Sequence, residues 1–177
     1  VNVEYLDDSK TSAKFVIEPL ERGFGNTLGN SLRRVLLSSI RGFAVTSIKI
    51  NGVLHEFDLI NGIREDVADI IMNVKSLIID KTTPSPATIR LKSNKKGVLY
   101  ARDIELENDV RILNPDLVMC HVEDDNIEFD MEMNVEFGVG YSLSSDEKPN
   151  SKDFTCINLD ALFNPVKKVA YSVENAR

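Results

Sequence analysis

Hydrophobic and polar residues alternate at the start of the chain. Val1, Val3 and Tyr5 form one alternating set and Ala13, Phe15 and Ile17 a second, so both stretches predict strands with one buried face, the second ended by Pro19. A glycine-rich stretch, Gly23 to Asn30, follows, and from Leu28 the period lengthens. Leu28, Leu32, Val35, Leu36 and Ile40 recur at helical spacing, which predicts a helix over 27–40, about 14 residues or roughly 20 Å long. Asn26 or Thr27 would cap it and Gly42 would stop it. The apolar stretches 44–50 and 53–57 are joined by Asn51-Gly52, which predicts a hairpin with a type I′ turn.

The clearest stripe is Val67, Ile70, Ile71, Val74, Leu77 and Ile78, a second helix with Glu65 and Asp66 in its first turn, where the helix dipole favours negative charge. Pro84 and Pro86 prevent its continuation. Strands are expected at 88–92, 98–102, 110–113 and 117–122. From 127 to 137 the apolar positions Ile127, Phe129, Met131, Met133, Val135 and Phe137 alternate without a fault, predicting a long strand with one wet face. Residues 142–153 read as a polar loop, Leu159 to Phe163 as a short helical turn stopped at Asn164-Pro165, and Val169, Tyr171 and Val173 as a last strand. No internal repeat is visible. The order of elements predicts an α+β fold with mostly antiparallel pairing.

A chain of 177 residues can bury a core without disulfides or metals. Its formal net charge of −7 argues against a free-standing nucleic-acid binder, which needs a basic surface to replace counterions. Cys120 and Cys156 sit in apolar, strand-like stretches and are expected as buried thiols in a reducing compartment. No apolar run reaches the ~18 residues of a membrane span. No signal-peptide pattern opens the chain, and the cytoplasm is the expected location.

Candidate chemistry is sparse. Gly23, Gly25 and Gly29 give G-x-G-x-x-x-G, one residue too long for a dinucleotide fingerprint, and no Walker lysine follows. A small nucleotide-binding enzyme using the Gly23–Gly29 turn is the alternative reading; a tight turn into a closely packed helix is the preferred one. Glu128, Asp130, Glu132 and Glu136 share a strand face with neighbours about 7 Å apart. They lack the loop that wraps a cation, so a solvated face is expected. His55 and His121 are the only histidines, and no metal-ligand or nucleophile motif involves them. Arg33 and Arg34 flank the apolar stripe of the first helix, either as a solvated edge or as a protein contact.

The run Glu18-Pro19-Leu20-Glu21-Arg22-Gly23-Phe24-Gly25-Asn26-Thr27-Leu28-Gly29-Asn30-Ser31-Leu32-Arg33-Arg34-Val35-Leu36-Leu37-Ser38-Ser39-Ile40 resembles the first helix region of the bacterial-type RNA polymerase alpha subunit. Four further stretches match the family in order: 52–57, 65–67 leading to 73–75, 112–115 and 165–177. The matches span 13–177, and the first and last blocks are long and specific.

The resemblance implies a non-catalytic scaffold subunit of DNA-directed RNA polymerase. It implies a discontinuous dimerisation subdomain at 1–48 and 169–177, with an inserted β-rich subdomain at 49–168. Two copies would pair through Leu28, Leu32, Val35, Leu36 and Ile40. The beta subunit would meet Arg34 and Leu37, with Arg33 beside them. The beta-prime subunit would meet Lys75, Leu159, Asp160 and Val166. No cofactor, direct DNA contact or membrane is implied, and the plastid stroma is a second possible location. The family's domain continues with another strand and a long helix that completes the dimer interface, so this chain reads as a fragment truncated at its C-terminal end, with part of the first helix's stripe left exposed. The family's Arg-Gly-Arg-Gly-Tyr is Phe137-Gly138-Val139-Gly140-Tyr141 here, so charged contacts of those arginines are not expected.

Overall fold

The computed structural model describes residues 1–144 and 155–175. The chain divides into two units: Val1–Ser38 with Val166–Arg177, and Ser39–Pro165. The resemblance implied boundaries at 48/49 and 168/169. The first of these falls inside a strand that pairs along its length within the second unit.

In the first unit, β1 (Asn2–Tyr5) and β2 (Ala13–Val16) pair antiparallel, Asn2 opposite Val16 and Tyr5 opposite Ala13. The Asp7 carboxylate ties their connection, accepting the Thr11 N–H at 2.8 Å and the Thr11 hydroxyl at 2.6 Å. Helix α1 spans Phe24–Ser38. It starts before the expected Thr27, directly after Gly23, whose φ of +89° suits glycine. Asn26 and Thr27 therefore lie inside the helix and do not cap it, and Ile40 lies beyond its end. The expected last strand over 169–173 joins no ladder. It is held otherwise: Arg33 Nε donates to the Val169 carbonyl at 3.3 Å. A Cβ at Gly25 would come within 2.7 Å of Val173 Cγ1, and one at Gly29 within 2.4 Å of the Tyr171 ring. The glycine face is thus the seat of this segment.

The second unit opens with β3 (Arg41–Ile50). Gly42 lies inside this strand and does not stop α1; a Cβ there would sit 2.1 Å from the Phe163 carbonyl oxygen. After β3, Val53 N–H bonds to the Ile50 carbonyl at 3.1 Å around Asn51-Gly52. Only Gly52 has positive φ, +80°, so the turn has the type II pattern and not type I′. No return strand follows. Residues 53–57 form a loop in which Val53 is buried while Leu54 and Phe57 are exposed. The loop is pinned by Asp58, which accepts the backbone N–H groups of Leu54 at 2.8 Å and His55 at 3.2 Å.

Helix α2 (Val67–Lys75) buries Val67, Ile70, Ile71 and Val74. Asp66 is its N-cap, accepting the Asp69 N–H at 2.8 Å. The helix ends at Lys75, short of the predicted stripe, so Leu77 is only partly buried and Ile78 is half exposed. The chain continues through β4 (Ile79–Lys81), β5 (Ala87–Ser93), β6 (Gly97–Tyr100), β7 (Val110–Ile112), β8 (Val118–Val122) and β9 (Phe129–Val139). Residues 101–102, expected to extend β6, instead enter a 3-10 turn, Ala101–Asp103. Then come β10 (Tyr141–Ser142), β11 (Ile157–Asn158) and β12 (Ala161–Leu162). The expected loop at 142–153 lies mostly outside the described residues. The helical turn expected at Leu159–Phe163 is extended: Ile157, Leu159, Ala161 and Phe163 are all buried, a spacing of two.

The main sheet has the order β11-β3-β9-β5, and every strand pairing described is antiparallel. The fold is mixed α+β. Phe129, Met131, Met133 and Val135 of β9 point into the core with Ile89 and Leu91 of β5. β3 contributes Val45, Ile48 and Ile50, a phase change made possible by a bulge between Val45 and Ser47. On the other face of the sheet, Arg90 reaches Asp130 at 3.3 Å and Glu132 at 3.1 Å, so an internal cation already sits among the acidic residues of β9.

Candidate functional site

Helix α1 needs an apolar face to belong to a folded assembly, yet it has no buried residue. Leu32 is 40% and Val35 51% exposed, while Leu28, Leu36 and Leu37 are half-buried. The same periodicity that predicted a core stripe therefore leaves an apolar surface on this chain. Arg33 and Arg34 are both exposed beside it. Arg33 spends its Nε on the Val169 carbonyl. Ser38 bonds the Arg34 carbonyl at 2.6 Å, which closes the last turn through its side chain. Ile40, in the second unit, is half-buried. The alternative use of the glycine stretch as a phosphate cradle meets the packing just described: the space beside Gly25 and Gly29 is filled by Val173 and Tyr171.

In the second unit, Lys75 is exposed at the end of α2. Asp160 is half-buried. The Ser144 N–H at 2.8 Å, then the Tyr141 hydroxyl, and finally the charge of Lys75 hold the Asp160 carboxyl below its usual value. The structure thus brings Lys75 and Asp160 within electrostatic reach of each other. Leu159 is different: at 4% exposure it is part of the core, so its side chain is not surface in this chain. Val166 is half-buried and belongs to the first unit.

Sequence reasoning missed three exposed apolar residues near Lys75. Met72 precedes it by one helical turn, Ile78 follows the helix, and Leu113 donates its N–H to the Ile78 carbonyl at 2.9 Å. Helical spacing from Lys75 could have found Met72. Ile78 continues the apolar spacing of α2 past its end at Lys75, and Leu113 reaches Ile78 only through the β4–β7 pairing.

Titratable groups elsewhere serve the fold. Burial pushes Glu65 up, but the backbone N–H of His121 at 2.8 Å and the His121 ring outweigh it, leaving the carboxyl below its usual value. Lys81 Nζ is buried and bonded to Asp109 at 2.7 Å, Thr83 Oγ1 at 2.6 Å and Ser85 Oγ at 2.8 Å. Both cysteines are free; Cys120 is buried as expected, but Cys156 is only half-buried. Among the described residues no group of three or more His, Cys, Asp or Glu could hold a metal ion, and no helix is long and apolar enough to cross a membrane.

These surfaces can now be set beside known proteins. The DNA-directed RNA polymerase subunit alpha of Alkaliphilus metalliredigens is 46% identical over 177 residues, covering 100% of this chain and 56% of that protein. The subunit of the same name from Desulfitobacterium hafniense is 50% identical over 175 residues, covering 99% of this chain and 55% of that protein. The chain therefore spans about half the length of the curated relatives it matches. The family model described as the RNA polymerase Rpb3/RpoA insert domain matches residues 48–164, almost the whole of the second unit. With a match over well more than half of its length, the chain belongs to the RNA polymerase Rpb3/RpoA insert domain family.

Proposed function

We propose that this chain acts as a non-catalytic scaffold in a DNA-directed RNA polymerase. Two copies pair through Leu28, Leu32, Val35 and Leu36 on α1. The arginine edge, with Arg34 and Leu37, takes the beta subunit. Lys75 and Asp160, with Val166 as a further contact, take the beta-prime subunit. Catalysis falls to those larger subunits.

The observation that carries this reading is the apolar face of α1, which has no buried residue although its spacing is that of a packed helix. Fully covering a leucine or valine is worth roughly 1.5–3 kcal/mol, so such a face strongly favours a partner. The relatives named above, all called subunits, support the same role.

The test is capture of the large subunits by the full-length protein. Arg34→Ala is expected to leave the fold intact and to weaken beta capture by about 2 kcal/mol, the scale of a truncated interface arginine. Lys75→Ala is expected to weaken beta-prime capture and leave beta capture unchanged. Unchanged capture of both partners, with intact circular dichroism, would sink the assignment.

A further inference from the structure

The end of α2 is held by side chains, and this bears on how Lys75 is presented. The last carbonyls of a helix lack partners within it. Here Ser76, the residue after Lys75, has its carbonyl satisfied by Asn114 Nδ2 at 2.9 Å. The same carboxamide accepts the Ile78 N–H on Oδ1 at 2.8 Å. Asn114 thus uses both ends of its amide on one turn of backbone, as a paired strand would. It extends the β4–β7 ladder, where Ile79 faces Ile112 and Leu113 N–H bonds to the Ile78 carbonyl. On the other side, Asn73 Nδ2 donates to the Met119 carbonyl at 2.9 Å and ties the last turn of α2 to β8. Lys75 lies between these two clamps.

We propose that Asn114 is a positioning residue for Lys75. This rests on the reading of Lys75 as a partner contact. A lysine loses much rotamer freedom on binding, and a fixed Cα limits the cost to the side chain alone. The clamp holds the backbone from which the Lys75 side chain extends. The carboxylate of Asp160 is engaged by Ser144 and Tyr141.

A double-mutant cycle in the full-length protein tests this, with beta-prime capture as the readout and thermal unfolding alongside. Asn114→Ala should weaken capture about fivefold, the scale of a neutral hydrogen bond, when Lys75 is present. In the Lys75→Ala background it should change nothing further, because there is no ammonium left to position. A loss of equal size in both backgrounds would make Asn114 merely structural and overturn the proposal. So would unchanged capture for Asn114→Ala with Lys75 in place. If Lys75→Ala alone has no effect, the reading of Lys75 falls and takes the positioning role with it.

Discussion

Ser39–Pro165 and the pair of segments Val1–Ser38 and Val166–Arg177 handle apolar residues in opposite ways. The first closes a core in which Ile48, Ile70, Ile89, Leu91, Met131 and Met133 lose all contact with water. The second has no buried residue among those described, although Val3, Tyr5, Phe15, Leu32 and Val35 are as apolar as their counterparts. Equal hydrophobicity thus gives unequal burial, because burial requires a facing layer and not only a stripe. Sheet and helix in Ser39–Pro165 face each other. Helix α1 instead packs glycine against Val173 and Tyr171 and leaves Leu32 and Val35 outward. One region encloses its own core, and the other leaves its apolar side chains at the surface.

The largest effect that separates them is a core truncation. Phe129→Ala should cost about 3–5 kcal/mol in denaturant unfolding, since Phe129 is fully enclosed on β9. Leu32→Ala should cost less than about 1 kcal/mol in the unpaired chain, because a surface substitution removes little contact. In a paired state the Leu32 cost should rise with protein concentration. Equal costs in dilute solution would show that α1 has a cover of its own.

How much of this contrast could be read in the sequence depends on the range of the interaction. β9 was legible because its period of two runs without a fault, and α2 because its four buried residues share a face. The course of the chain after Asn51-Gly52 was not, since the turn is local while the partner of Ile50 is Met131, far along the chain, and no hairpin forms. The loop after it is shaped by Asp58, whose bonds to Leu54 and His55 replace a ladder. Ile157, Leu159, Ala161 and Phe163 carry a period of two, which the structure follows in place of the short helical turn expected at Leu159 to Phe163. Lys75 and Arg34 stand out only through the family resemblance, because a single exposed cation has no periodicity to distinguish it.

A smaller effect sharpens the comparison inside the first unit. Gly29→Ala places a methyl group against the Tyr171 ring and should cost about 1–3 kcal/mol as overpacking. Hydrogen exchange should then rise at 169–173 and stay unchanged across β9. Exchange that rises in both places would mean that the two regions open together.

In the other region acid should act through Glu65. The folded Glu65 carboxyl lies below its ordinary value, so its contribution is complete above the unfolded value of about 4.3 and disappears as pH falls through the folded one. Glu65→Gln should flatten that acid limb in thermal unfolding. It should leave the exchange of α1 amides alone, since Glu65 bonds to His121 on β8. An unaltered limb would assign the acid sensitivity to other carboxylates.

The smallest expected change is a reaction that fails to occur. Burial, with the nearby Glu65 charge, pushes the Cys120 thiol up to about 12, and the nucleophile toward an alkylating reagent is the thiolate. At neutral pH Cys120 is therefore blocked twice, by lack of access and by lack of charge. Cys156 is half-buried and should label in the native protein. Cys120 should label only when Ser39–Pro165 opens, so its rate should follow the stability of that unit. Phe129→Ala should raise the Cys120 rate strongly, whereas Leu32→Ala and Gly29→Ala should leave it where it was. Mass spectrometry of labelled peptides reads both thiols at once. A Cys120 rate that rises with Gly29→Ala would show that disturbing the α1 seat loosens the core, and the independence of the two regions would be lost.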